Sequence, residues 1–325
     1  MKLLHLLDLQ KKICKIDIKL KGNEMKRTKY NNVNGWLIID KQRDIGSTDV
    51  VNQTRRLLNA NKNGHAGTLD PFATGVLPIA FGEATKLIPF VTDGKKEYEF
   101  ILKFGVETNT DDSEGTVINT SNYIPTIDEI LKVLPQFIGT IKQTPPIYSA
   151  IKINGQRAYK LAREGKEVNI PERQVEIYYL DFLEQINESE FKFKVGCSKG
   201  TYIRTLGKDI ALKLGTLGHL SELRRTKCAI FSLQDTILLE NLKNMVYEDE
   251  RLLSLLPVKT SLRDIAVIAV SEEEATKLRH GQGLSPKAYQ GFPLNTLLAA
   301  LCNDCLVALV RVEERRLSPI RVFNL

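Results

Sequence analysis

At 325 residues, with 42% hydrophobic and 26% charged side chains, the chain is long enough to bury one large core and a smaller one, so two globular domains are expected. No stretch approaches the roughly 18 uninterrupted apolar residues that cross a bilayer, and the start lacks a signal-peptide core, which points to a cytoplasmic protein without a membrane segment. The formal net charge is +7, but residues 1 to 30 hold nine Lys/Arg against three Asp/Glu and so carry +6 of it; overall charge therefore does not establish a nucleic-acid partner, and any such site in the body would have to come from local clustering.

Residues 1 to 30 form a Lys-rich arm with weak apolar periodicity, read either as disordered or as a lead-in to a start at Met25. Gly35-Trp36-Leu37-Ile38-Ile39-Asp40 predicts a buried strand. Ser47 as N-cap then opens a helix with Val50, Val51, Leu57 and Leu58 on its apolar face. It runs up to Gly64-His65-Ala66-Gly67-Thr68-Leu69-Asp70-Pro71-Phe72-Ala73-Thr74-Gly75, where two kinds of backbone constraint meet. Pro71 pushes Asp70 toward an extended conformation, while Gly64, Gly67 and Gly75 permit tight turns and close approach of a ligand. Asp70 is thus a carboxylate on a short loop between packed elements, although an Asp-Pro pair by itself reads as a turn. Beyond it, Val76 to Phe81 is a buried strand broken by Pro78, and Gly82 and Gly94 bracket a helix that Pro89 limits to about two turns.

Lys95 to Phe104 alternates as a half-buried strand, with Tyr98, Phe100, Leu102 and Phe104 on one face; on periodicity Tyr98 is a core aromatic. Thr126 to Glu129 is a capping box for a short helix that Pro135 ends. Lys152, Arg157, Lys160, Arg163 and Lys166 cluster on and around a helix near 157–164 that Gly165 stops. Arg224, Arg225 and Lys227 form a second cluster, and on charge alone each cluster is as readily a solvated face as an RNA contact. Val175 to Asp181 and Phe191 to Cys197 read as antiparallel strands. The helix after Lys199-Gly200-Thr201-Tyr202 carries Ile203, Leu206, Ile210 and Leu214 on one face and stops at Gly215, leaving Arg204 semi-buried, ordinarily as a surface cation or a structural ion pair. From Ser261 the texture turns to short strands, Ala266 to Val270 and Leu306 to Val312, around a helix capped by Ser271 and Glu274 and closed by Gly281. Five scattered cysteines do not suggest a disulfide framework. Cys302-Asn303-Asp304-Cys305 lacks the second pair a zinc site needs and reads as two ordinary thiols. No metal constellation or nucleotide-binding loop is legible, so no cofactor is expected.

The string from Gly64 to Pro71, continued by Ala73-Thr74-Gly75-Val76-Leu77-Pro78 and Gly82-Glu83-Ala84-Thr85-Lys86, closely resembles the motif of the TruB family, the bacterial tRNA pseudouridine(55) synthases. Further matching strings lie around Tyr98, from Thr144 to Gly165 and from Lys199 to Leu223, so the likeness covers roughly Val33 to Phe323. One loop departs from it: where the family usually reads Asp-Lys-Pro with a Gly close behind, this chain has Asp40-Lys41-Gln42-Arg43-Asp44 and Gly46. The resemblance implies an α+β fold, a pseudouridine synthase-like mixed, largely antiparallel sheet flanked by helices. It places the catalytic domain at 31–260, with an RNA-gripping insertion at about 144–172, and a small β-rich PUA-like RNA-binding domain at 261–325. It also implies that a monomer acts on the T-arm stem-loop of tRNA, isomerising the uridine at position 55. Asp70 is then the catalytic residue, His65, Tyr98, Tyr202 and Leu223 bind the substrate, and Arg204 and Lys86 support the site. Lys152, Arg157, Lys160 and Arg163 are implied as contacts to the RNA backbone.

The chemistry is consistent with those residue types. Cleaving a glycosidic bond builds positive character at the anomeric carbon, which a carboxylate stabilises electrostatically or by adding to it. A hydrolase normally needs two carboxylates, whereas an isomerase that keeps its leaving base can work with one. Arg204 paired with Asp70 should lower the carboxylate pKa by about 1–3 pH units. The target base must be flipped out of its loop, with Tyr98 stacking on it and His65 filling the vacated space, unless His65 is a satisfied loop histidine. An RNA-binding protein that leaves its uridine unchanged and a glycosidase that releases uracil are the competing classes.

Overall fold

The computed structural model describes residues 30–325 apart from 150, 154, 159–160, 162–163, 165–169 and 286–290, with backbone alone at 152, 153 and 157. Strand β1, Gly35–Lys41, is a continuous apolar run because both its faces are buried: Leu37 and Ile39 enter one core while Trp36 and Ile38 enter another. Helix α1, Ser47–Leu57, leads to β2, Asn63–His65, and β3, Thr74–Phe81. β3 lies antiparallel to β1 along its whole length and is not broken at Pro78. The Pro78 carbonyl accepts from the Ala66 N–H at 2.9 Å, so its missing N–H faces the edge where the β2 ladder, confined to Ile79 to Phe81, has already ended. The position therefore sacrifices no ladder bond.

Gly82–Leu87 is a 3₁₀ turn followed by a separate helix α2, Ile88–Asp93, with Pro89 in its first turn where no helical N–H is needed. Strand β4, Lys96–Phe104, forms the middle of the sheet. Helix α3, Ile127–Val133, starts from the expected Thr126/Glu129 capping box. Strands β5, Gly139–Gln143, β6, Arg173–Gln185, and β7, Glu190–Cys197, pair antiparallel on one flank. Helix α4, Ile203–Lys213, stops before Gly215, whose φ of +76° a glycine accepts without strain. Strands β8, Gly218–Cys228, and β9, Ile237–Leu238, complete the order β9-β1-β3-β8-β4-β7-β6-β5, with β2 and the short strand Phe231–Ser232 beside this path. Among the described pairs of this sheet only β1/β9 and β3/β8 are parallel. The basic stretch differs from its expected helix at the start, since Lys152–Ile153 pairs with Gln156–Arg157; Lys160, Arg163 and Lys166 lie outside the described residues.

The C-terminal strands β10, Val267–Ala269, β11, Leu297–Cys302, β12, Cys305–Val312, and β13, Leu317–Val322, form a four-stranded sheet with its own core under helix α5, Glu272–Arg279. Cys302 is a buried thiol, whereas Cys305 is disulfide-bonded, contrary to the expectation of two thiols. This sheet packs on the large one through Trp36, Ile38, Leu309 and Phe323. Lys86 clamps the joint, donating to the Val322 carbonyl at 2.8 Å and to Glu83 at 2.6 Å beside the Phe323 ring.

Ser47 is not the cap of α1; Gly46 occupies that position. The buried Ser47 hydroxyl instead donates to the Leu69 carbonyl at 2.7 Å and accepts from the Leu69 N–H at 2.9 Å, fastening the helix to the residue before Asp70. Ser47→Ala strands both backbone groups, so equilibrium urea unfolding should show a loss of about 1–3 kcal/mol. A loss below about 0.5 kcal/mol, the scale of a neutral surface change, would contradict this role.

Candidate active site

The chain from β2 to β3 is fixed at four points around Asp70. Ser47 holds Leu69 from one side. Lys41, at the end of β1, directs its Nζ into a cage of carbonyls, those of Pro71 at 2.9 Å, Ile45 at 2.8 Å and Gln42 at 3.0 Å, and the Asp44 N–H also donates to Pro71. The loop that lacks the family's proline is therefore held by the lysine beside it. Burial pulls the Lys41 pKa down to about 8 against the opposing attraction of Asp70. Arg225, on β8, donates from Nε to the Val76 carbonyl at 2.7 Å and from Nη2 to the Gly67 carbonyl at 2.9 Å, bracing both ends of the loop. Gly75 allows β3 to approach β8 this closely: a Cβ there would lie 2.2 Å from the Arg225 carbonyl oxygen.

Arg204, in the first turn of α4, supplies the partner of Asp70. Its Nη2 lies 2.9 Å from Asp70 Oδ2 and its Nη1 3.2 Å from Asp112 Oδ2, with the arginine side chain 4% exposed. Nη1 and Nη2 also donate to the Thr110 and Tyr148 carbonyls, each at 2.9 Å, while the buried Nε is left without a partner among the described residues. The sequence expectation of an ion pair is met, but its consequence for Asp70 is reversed. The Asp70 side chain is 36% exposed, open only toward a recess ringed by protein, and this desolvation raises its pKa more than Arg204 lowers it.

The recess is a cavity of about 230 Å³ lined by Asp70, Tyr98, Tyr202, Arg204 and Leu223, with Lys96 and Arg225 deeper on the same sheet. Tyr98 and Leu223 arrive from adjacent strands, since Leu223 stands opposite Phe100 and Arg225 opposite Tyr98. Tyr202 is fixed by reciprocal bonds with the Gln143 side chain at 2.7 and 3.0 Å, and the Arg173 guanidinium lies 4.7 Å from its ring centre. His65 does not join the lining. It pairs with Ile79 as part of β2, and burial with help from Arg225 keeps its imidazole neutral by lowering its pKa. Lys86 is also away from the cavity, in the joint with the C-terminal sheet. Lys152 and Arg157 fall in a short ladder whose side chains are not described.

Sequence reasoning missed Lys41, Lys96, Asp112 and the role of Arg225. The cluster Arg224-Arg225-Thr226-Lys227 divides between two faces: Arg225 is 1% exposed, whereas the more exposed Arg224 pairs with Asp40 at 2.8 Å and Lys227 with Glu97 at 3.4 Å. The available signal was its strand alternation, which places Arg225 on the face opposite its neighbours. Among the described residues no group of His, Cys, Asp and Glu is arranged to hold a metal ion, and no helix is long and apolar enough to cross a membrane.

The same architecture is found in a structure of an H/ACA RNP bound to a substrate RNA containing 2'-deoxyuridine, at a TM-score of 0.70 and 23% identity over 94% of this chain and 93% of that one. A Cbf5-Nop10-Gar1 complex aligns at a TM-score of 0.69 and 25% identity, covering 94% and 92%. Residues 55–203 match the model described as TruB family pseudouridylate synthase (N terminal domain), and residues 204–263 match that of the tRNA pseudouridylate synthase B C-terminal domain. The tRNA pseudouridine synthase B of Caulobacter vibrioides is 44% identical over 92% of this chain and 99% of its own length; that of Bradyrhizobium diazoefficiens is 43% identical over 94% and 90%. The chain belongs to the TruB family of pseudouridylate synthases.

The opposing influences on Asp70 make its titration diagnostic. Followed by the carboxyl carbon signal in NMR, Asp70 should titrate above the ~3.9 of a free aspartate, and Arg204→Gln should move that midpoint further up because it removes the group that favours the anion. A midpoint at or below the free value, or a downward move in the variant, would show that burial does not dominate.

Proposed function

We propose that this chain isomerises the uridine at position 55, in the T-loop of tRNA, to pseudouridine, with Asp70 as the catalytic carboxylate. The observation that carries this reading is the buried Arg204 gripping a carboxylate that opens onto a cavity walled by Tyr98, Tyr202 and Leu223. Relatives named tRNA pseudouridine synthase B over nearly their whole length support tRNA as the substrate.

The isomerisation follows from what each group can do. Arg204 aims Asp70 and favours its ionised form, so that an anionic oxygen meets the anomeric carbon as the bond to uracil breaks. Tyr98 offers a flat surface for the base, and Leu223 and Tyr202 close the walls and exclude water that would divert the reaction to hydrolysis. A glycosidase would need a second carboxyl group free to act as an acid. Asp112 cannot take that role: it is 3% exposed and its oxygens are engaged by Arg204, Thr110 and the Glu114 N–H. Extruding the target base costs a few kcal/mol, which the neutral His65 ring offsets by occupying the vacated stack. Residues 31–260 serve as the catalytic domain. Within them Lys152, Arg157, Lys160 and Arg163 of the insertion at 144–172 bind phosphates, and residues 261–325 add a PUA-like RNA-binding domain that Lys86 supports in place. On this reading the protein is a cytoplasmic monomer that works without a cofactor.

Two experiments test the reading. Neutralising Lys152 and Arg157 together should flatten the salt dependence of T-arm binding by roughly 1–2 in log–log slope while single-turnover chemistry at saturation survives; an unchanged slope would return them to the solvated surface. Asp70→Asn preserves shape and the turn into Pro71, so it should bind tRNA like the parent yet form no detectable pseudouridine, with neither enzyme releasing free uracil. A substantial single-turnover rate in that variant would remove Asp70 from the chemistry, and free uracil from the parent would make the protein a glycosidase.

A further inference from the structure

The charges around the cavity are unbalanced in a way that holding Asp70 does not require. Among the described residues its lining contains one carboxylate, Asp70, and the cations Lys96, Arg173, Lys199, Arg204 and Arg225. Lys199 is met by Asp93 at 2.9 Å, and Arg204 by its two aspartates. Lys96 and Arg225, 6% and 1% exposed, form no ion pair with a carboxylate among the described residues. Lys96 Nζ donates to Val91, Thr92 and Gly94 at the end of α2, and Arg225 to Gly67 and Val76. Burying a cation without a carboxylate is costly, and a fold that retains two of them beside one cavity keeps a positive field there at the expense of stability.

The strand register aims that field. Lys96 and Tyr98 are two apart on β4 and share a face, while Arg225 is the cross-strand partner of Tyr98. The neighbouring titratable groups do not cancel the charge. Burial pushes the Tyr98 phenol up to about 12 and the Cys197 thiol up to about 11, so both stay neutral; Cys228, the cross-strand partner of Lys96, is a buried thiol; His65 is held neutral; and Asp93 is spent on Lys199.

We propose that Lys96 and Arg225 are positioning residues that form an electropositive floor beneath Tyr98, stabilising the negative charge that appears on the uracil ring when its bond to the sugar breaks. The inference rests on the isomerase reading and adds to it the group that receives the leaving electrons. When C1′–N1 breaks, its electron pair stays with uracil and spreads from N1 to O2 and O4, while Asp70 meets the electron-poor sugar carbon. The ring turns, electrons of the anion form the new C5–C1′ bond, C5 loses its proton and N1 gains one, and the product is an isomer of unchanged charge. Asp70 and the floor thus serve opposite halves of one heterolysis. Fixed charges need no reorganisation at the moment of cleavage, and they act most strongly where water is excluded.

The test varies the leaving anion rather than the enzyme alone. T-arm RNA carrying 5-fluorouridine at the target places an electron-withdrawing group on the ring and makes its anion easier to form; cleavage is followed as loss of the target nucleoside in single turnovers. Lys96→Met and Arg225→Gln should bind RNA like the parent but cleave the uridine substrate about a hundredfold more slowly, and should lose less than about tenfold on the fluorinated substrate. Arg225→Lys, which keeps the charge, should retain the parent's ratio between the two substrates. Equal losses on both substrates would assign these cations a structural role, and weakened RNA binding with an unchanged saturated rate would make them phosphate contacts. Should the neutral variants fail to fold, the parent and Arg225→Lys decide: a strong preference of the parent for the fluorinated substrate would mean that the leaving charge goes unsupported, and the proposal would fail. The isomerase reading itself stands or falls on Asp70→Asn with ordinary uridine, so the two failures are distinguishable.

Discussion

The structure depends on one buried cation placed between two carboxylates. Arg204 gathers four separate segments: the Asp70 loop, the turn holding Thr110 and Asp112, the Tyr148 carbonyl and its own helix α4. Such a pair is poor evidence of stability, because a hydrophobic replacement of equal volume frequently does as well. Its value is geometric. The forked guanidinium offers parallel donors at fixed angles, so a carboxylate opening onto a cavity is held in one orientation without being covered. Asp112 anchors the far side of the fork, and its own oxygens are held by the Thr110 hydroxyl and the Glu114 N–H.

Around that pair the sheet supplies rigidity in a specific direction. The Asp70 loop is short, and its side-chain attachments to the backbone come from strands or helix ends: Lys41 from the end of β1, Ser47 from the first turn of α1, Arg225 from β8. Each reaches a backbone carbonyl of the loop, leaving the carboxylate as the group free to meet a ligand. Because β1 and β3 are buried on both faces, the ends of the loop cannot shift without disturbing two cores at once. The small C-terminal sheet contributes to the second of those cores through Leu309 and Phe323. Its docking therefore bears on the site through packing as well as through Lys86.

What could be read from the sequence follows the range of the interactions. A continuous apolar run gave β1, and period-two and period-3.6 patterns gave β4, β6, β7, α1 and α4, because all of these are local signals; the Asp70 loop stood out because Gly and Pro punctuate it. Tyr98, Leu223, Tyr202 and Arg204, singled out by the family resemblance, line one cavity with Asp70. The residues missed have partners that no periodic pattern reveals: backbone carbonyls for Lys41, Lys96 and Arg225, and the Arg204 side chain for Asp112. A lysine after a strand, such as Lys41, looks solvated until a loop thirty residues away closes over it. Asp112 sits in a polar turn indistinguishable from any other, and its meaning depends on an arginine ninety-two positions later. Pro78 misled for the opposite reason, since the penalty for proline in a strand applies only where a neighbouring strand needs its N–H. Ser47 misled because the residue type that caps helices is also suited to bonding any nearby peptide group.

Net charge was the least informative quantity, and β4 shows why. Removing the +6 of residues 1 to 30 from the total of +7 leaves +1 for the remainder of the chain, a balance that by itself argues against a strong field anywhere. Yet alternate positions of this one strand separate the signs. Lys96 and Tyr98 face the cavity, while Glu97 and Glu99 face the other way, where Lys192, Lys194 and Lys227 pair with them and Tyr179 and Thr226 bond to Glu97. The negative charges are thus neutralised on the outer face of the sheet and the positive ones are left uncompensated on the inner face. Side-chain alternation, the same two-residue period that builds the core, is what converts a nearly neutral body into a cationic recess around a single carboxylate.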